Sequence, residues 1–129
     1  LAGPGVRVTG AVASVEPHLE RATVVVAPIT IGGGMRVKVL EALAAGKAVV
    51  ASPRAAEGVT ARAGEEIVVA DGDRETADAV LALLDDPRAR RRMGIRARQW
   101  AVRELSWAAM ADRYEELYAR VERRRAGER

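Results

Sequence analysis

Three runs, TVVVAPI (Thr23–Ile29), AVVAS (Ala48–Ser52) and EIVVA (Glu66–Ala70), are continuously apolar and rich in valine, with no alternation of polar residues. Strands of that kind are buried on both faces, as in a parallel sheet covered by helices on each side. Val6–Gly10 (VRVTG) is a fourth, shorter β-branched run. Helical stretches lie between the runs: Glu16–Arg21 with Pro17 in its first turn, Gly34–Ala45 ended by Gly46, and Asp73–Leu84 with Asp73 as N-cap. Pro87 breaks the chain, and two long helices follow, Arg88–Leu105 and Trp107–Arg124, with Ser106 placed to cap the second. The expected fold is α/β: a partial doubly wound, Rossmann-like parallel sheet of about four strands, with helices on both faces and two long C-terminal helices. Residues 1–129 read as a single domain, with sheet and helices over 1–86 and a helical appendix over 87–129. The sheet is expected to be truncated at its N-terminal side, since open sheets of this type usually have about five or six strands.

Bulk composition excludes several classes. With 49% hydrophobic and 30% charged residues the chain is globular rather than disordered. It has no cysteine, so disulfides and thiolate metal sites are impossible and a cytoplasmic setting fits. Its one histidine, His18, cannot anchor a transition metal alone and reads as a surface helix residue. No apolar run reaches the roughly 20 residues that span a bilayer. The opening LAGPGVRV has no initiator methionine, and a piece of something longer is expected.

Charge is unevenly distributed. Residues 1–86 carry 8 Lys or Arg against 12 Asp or Glu, net −4; residues 87–129 carry 13 against 6, net +7, which together give the overall +3. A basic helical tail can serve nucleic acid or an anionic membrane surface. Its arginines are interleaved with acids (RYEELYARVERRR) and lack an aromatic platform for bases, which favours a solvated face.

The stretch TIGGGMRVKVLEALAAG (30–46) carries the chemistry. A strand that ends in glycines and turns into a helix brings backbone N–H groups to an anion, and the helix dipole favours a diphosphate there. Arg36 and Lys38 add positive charge. Gly34, Lys38 and Glu41 share one helical face, while Val39 and Leu43, with Leu40, suit packing on a sheet. A ligand along the first face meets amides, a cation and then a carboxylate, the order of a nucleoside diphosphate with its ribose hydroxyls on Glu41. The glycines match neither a P-loop nor GxGxxG, and a purely structural turn, with Lys38 and Glu41 as a surface pair, remains an alternative at this point.

The longer stretch GGGMRVKVLEALAAGKAVVAS resembles the G-x-G-x-R-x-K-x-x-E-A-x-A-x-G-x-x-V-V segment of family 4 glycosyltransferases, retaining enzymes of the GT-B fold. VRVTGAVASVEPHLERATVVVAP, AAEGVTARAGEEIVVAD, LLDDPRARRRMGIRARQW and LSWAAMADRYEELY fall in the family's order, so the resemblance covers nearly the whole chain. It implies the donor half of such an enzyme: Glu41 is the second glutamate of the E-x7-E motif and binds the ribose, and Gly34 and Met35 offer N–H groups to the diphosphate or donor sugar. Gly10 to Val12 would lie near the nucleobase. Gly33 stands where the motif has its first glutamate, a departure that bears on sugar contacts, and Arg36 and Lys38 agree with a glycine-rich variant. The implied site is therefore Gly10, Val12, Gly33, Gly34, Met35, Arg36, Lys38 and Glu41, with no catalytic residue and no metal ligand.

The resemblance also implies a UDP- or GDP-sugar as donor, no cofactor and no metal at this domain, and an N-terminal acceptor-binding domain of the same protein as partner. The chain alone is expected to be inactive, and the full-length enzyme to be cytoplasmic, with peripheral association at the inner face of the membrane as one form. A sugar-nucleotide epimerase half-domain and a non-enzymatic anion- or nucleic-acid-binding module are the alternatives. Trp107, Met110, Tyr114, Leu117, Tyr118 and Val121 draw an apolar stripe that suits a homodimer through the C-terminal helices, unless the last helix folds back onto its own sheet. Trp100 and Trp107 read as packing residues, and Glu57, Glu65 and Glu66 as solvated loop and strand-edge acids.

Overall fold

The three valine-rich runs become three parallel strands, β1 (Val25–Ala27), β2 (Val49–Ala51) and β3 (Val68–Val69), in the order β1-β2-β3. The computed structural model describes residues 3–34 and 36–127. Around the strands lie α1 (Glu16–Arg21), α2 (Val37–Ala44), α3 (Pro53–Ala56), α4 (Gly72–Asp85), α5 (Pro87–Leu105) and α6 (Trp107–Gly127). All three residues of the central strand β2 are buried.

Successive side chains of β2 enter two separate cores, as strand pleating requires. Val49 and Ala51 join Val39, Ala42 and Leu43 of α2, Ala55 of α3, and Ala97, Trp100 and Ala101 of α5. Ala48 and Val50 join Leu83 of α4 and Met93 of α5 on the other face. Leu43, Ile67, Val39, Val49 and Val50 are the largest fully buried side chains. Each contributes about 1.5–3 kcal/mol by leaving water. Helix α5 thus serves both layers, and it crosses α2 closely. A Cβ on Gly94 would collide with the carbonyl oxygen of Gly46, so only glycine permits this approach.

Four details differ from the sequence reading. Val6–Gly10 forms no strand of the sheet; Val6 makes only an isolated bridge to Gly3, and Val6 and Val8 stay exposed, so no burial offsets the ordering of a fourth strand. Helix α2 starts at Val37 rather than Gly34, because Gly32 and Gly34 take positive φ values of 128° and 87° that no helix accommodates. The cap of α4 lies at Asp71, with Asp73 inside its first turn. The short helix α3 was not anticipated, although Ser52-Pro53 carries its signal: Ser52 Oγ accepts from the Ala55 N–H at 3.1 Å and Pro53 fills the first position. Ser106 does cap α6, accepting from the Ala109 N–H at 3.2 Å.

Three helices end at the amino ends of the strands, opposite the glycine loop, and each end meets a cation. Lys47 Nζ donates to Glu20 O and Ala22 O after α1, Arg98 to Ala44 O of α2, and Arg90 to Leu83 O and Leu84 O of α4. Helix C-termini present unpaired carbonyls and partial negative charge, so these cations have a structural role. Arg90 and Arg98, two of the seven arginines of α5, are accounted for in this way.

Candidate functional site

Helix α2 buries Val39, Ala42 and Leu43 and turns Lys38 and Glu41 to solvent. Glu41 stands on the wall of a cleft of about 790 Å³, lined also by Val12–Glu16, Leu19 and Glu20 on one side and Ala44 and Ala45 on the other. Its charged lining groups are carboxylates (Glu16, Glu20 and Glu41), so the cleft presents acceptors to a ligand. It suits hydroxyl and amine donors and repels phosphate. One helical turn separates Glu41 from the start of α2, roughly 6 Å at 1.5 Å per residue. The first-turn N–H groups there precede the helix's own hydrogen bonds and face anions by default.

The loop ahead of α2 is held from the side. Arg54 Nε donates to Gly32 O at 3.0 Å, and Arg36 donates to Gly34 O at 3.0 Å and to Arg54 O at 2.8 Å. Both guanidiniums close on the same Glu57 oxygen, at 3.1 Å from Arg36 and 3.0 Å from Arg54. Ser52 Oγ, besides capping α3, donates to Ile29 O. The loop following β1 is thereby tied to the helix following β2, at the carboxyl ends of the parallel strands where open α/β sheets bind ligands.

The structure brings Val12 and Glu41 together in one cleft, while Gly10, at a φ of 67°, lies outside its lining. Gly33 and Gly34 are exposed in the loop, and Lys38 is exposed on the first turn of α2. Met35 lies outside the described residues. Arg36 is 8% exposed and its guanidinium is engaged within the protein. Arg54 was missed by sequence reasoning. Glu57 was read as a solvated acid and is an ion-pair partner; its i, i+3 spacing from Arg54 is the signal that could have found both.

Glu66 also departs from its reading. Its carboxylate is buried, accepts the Arg62 N–H at 2.7 Å and the Arg62 guanidinium at 3.0 Å, and faces Arg103 of α5. Burial alone would push its carboxyl up, but the bonds and charge from Arg62, with the charge of Arg103, outweigh it and hold the group below the usual range. Glu65 pairs with Arg62 and Arg96. These acids pin the β3 loop to α5. His18 is exposed, as expected.

A profile of the family described as Glycosyl transferases group 1 matches residues 1–86, two thirds of the chain. The chain belongs to this glycosyltransferase family. Among solved structures it is similar to a sucrose-phosphate synthase from Thermosynechococcus elongatus, at 25% identity and a TM-score of 0.69, over 83% of this chain. The match covers 27% of that enzyme's chain, so this glycosyltransferase domain spans about a quarter of its length. A search of curated proteins returned no match. Both findings agree with the GT-B, Rossmann-like architecture of the fold. Among the described residues of the domain, no helix is long and apolar enough to cross a membrane, and no three His, Asp or Glu side chains group to hold a metal ion.

Proposed function

We propose that this chain is the nucleotide-sugar-binding half of a retaining glycosyltransferase that takes its sugar from a UDP- or GDP-linked donor. The observation that carries the reading is Glu41, exposed on the wall of a cleft it shares with Val12, one turn along α2 from the glycine loop. The nucleoside occupies the cleft, with its ribose hydroxyls donating to Glu41 and its base beside Gly10–Val12. The diphosphate lies at the N-terminal end of α2 on amides of Gly33, Gly34 and Met35, with Lys38 supplying charge. Arg36 acts by holding the loop rather than by touching the ligand. The acceptor site belongs to another domain of the same protein, so the chain alone binds nucleotide weakly and transfers no sugar. The working enzyme is cytoplasmic, at the inner face of the membrane where its acceptor requires it.

Glu41→Gln tests the site. The change is isosteric and exposed, so the fold is retained, while affinity for a nucleoside diphosphate falls by about 1.5–3 kcal/mol, the worth of a hydrogen bond to a charged group. Titration calorimetry on the full-length protein reads this, and equal affinity of the two proteins removes Glu41 from the site. Sugar transfer by residues 1–129 alone would overturn the division of labour between domains.

A further inference from the structure

We infer that Glu57 is a positioning residue for the glycine loop: through Arg54 and Arg36 it fixes the direction of the loop's carbonyls and so turns the Gly33 N–H outward, toward an anion. The inference about phosphate rests on the function proposed above; the clamp itself does not. Among the described residues, the side-chain hydrogen bonds to the glycines themselves come from these two guanidiniums. Ile31 is 89% exposed, and a Cβ built on Gly32, Gly33 or Gly34 would meet no atom within 4 Å. Three consecutive glycines also carry the greatest backbone entropy of any sequence. Order comes from the two guanidiniums, one on Gly32 O and one on Gly34 O, and both lean on one Glu57 oxygen.

The peptide plane gives this clamp its consequence. A trans peptide sends its C=O and the following N–H in opposite directions. With the Gly32 carbonyl fastened to Arg54, the Gly33 N–H points away from Arg54. Free rotation of that plane would present carbonyl oxygen instead and repel an anion. Glu57 also keeps the nearly buried Arg36 guanidinium from being left without its charge partner. A carboxylate well beyond the loop in sequence, 21 residues after Arg36, therefore governs what the loop displays, without touching the ligand.

The test separates phosphate from nucleoside. Chemical-shift titrations of the chain with UDP and GDP, and with uridine and guanosine, are compared for wild type and Glu57→Ala, alongside the NMR order parameter of the Gly33 amide in the free protein. The expected result is about a tenfold or greater loss of diphosphate affinity, the scale of one lost hydrogen bond to a charged group, with nucleoside affinity within about twofold. The Gly33 order parameter should fall from about 0.85 to below about 0.6. Glu57→Gln, which keeps an acceptor oxygen, should recover part of each effect. An unchanged Gly33 order parameter, or equal losses for diphosphate and nucleoside, overturns the clamp. A wild-type chain that binds no nucleoside diphosphate overturns the proposed function, while the order parameter still decides the clamp. Should Glu57→Ala fail to fold, Arg54→Ala, at a half-exposed position, gives the same order-parameter reading.

Discussion

At the scale of single residues, this protein places its carboxylates in two different roles. Glu41 is exposed over a cleft with no cation in its lining, whereas Glu66 is buried and bonded to Arg62 through both backbone and side chain. An unpaired carboxylate at the second position would cost several kcal/mol; the Arg62 bonds remove that cost. Because the Glu66 carboxyl is held below its unfolded value, it binds fewer protons in the folded state than in the unfolded state. Its stabilising contribution is complete above the unfolded pKa, near 4.3, and is lost as pH falls through the lowered folded value. Glu66→Gln should lower the unfolding free energy at pH 7 by about 1–2 kcal/mol and flatten the loss of stability below about pH 4. A pH series of urea melts on both proteins checks this; parallel curves would show that Glu66 is not the titrating group.

Between elements, the closest contact is made by the absence of side chains. Helix α2 ends in a Schellman turn, with Gly46 N–H on Leu43 O at 3.0 Å and Lys47 N–H on Ala42 O at 3.1 Å, and Gly46 takes the left-handed φ of 68°. Gly94 of α5 lies directly on that turn. In an isolated helix Gly94→Ala would add up to about 1 kcal/mol of propensity. Here the new methyl must displace backbone, not a flexible side chain, and overpacking of that kind costs about 1–3 kcal/mol. The variant should therefore be less stable than wild type despite its better helix former. Denaturant midpoints decide the sign, and a stabilised Gly94→Ala would mean that α5 can shift off α2 freely. Arg98 on Ala44 O fastens the same crossing.

Over the whole molecule, α6 is the part least joined to the rest. It packs chiefly on α5, with Arg113 bonded to Glu104, and its stripe from Trp107 to Val121 faces solvent; Trp107 is 92% exposed. The helix does not fold back on the sheet, so the stripe is available for another surface. A second copy of the chain is our proposal for the isolated domain, because a stripe of this length costs less paired than wetted. Light scattering should rise from monomer to dimer mass across a dilution series. In the same samples acrylamide should quench Trp107 in the monomer and lose access to it in the dimer, while the buried Trp100 stays protected throughout. A monomer at millimolar concentration, with Trp107 fully quenched, would rule out pairing through α6.

The sequence by itself determined most of the elements and their order, the short α3 and the unformed fourth strand excepted. Valine runs buried on both faces, Gly46 after α2, Pro87 before α5 and Ser106 before α6 are local signals, and each acts within a few residues of itself. The exposure of Glu41 on α2 was legible for the same reason: a lone carboxylate inside VKVLEALAAG has one open face to point toward. Tertiary structure decided everything that depends on residues far apart in the chain. It sent the Arg36 guanidinium to Glu57, 21 residues away, and Lys47 and Arg98 to the ends of α1 and α2. It left Val6–Gly10 outside the sheet, where nothing buries that run, and it made Gly94 the seat of a helix crossing. Ion pairs and close packing are set by distance in space, and a sequence read along its length carries distance only within one element. The charge of the tail was visible from composition, but where Arg90 and Arg98 go was fixed only when the ends of α4 and α2 met α5.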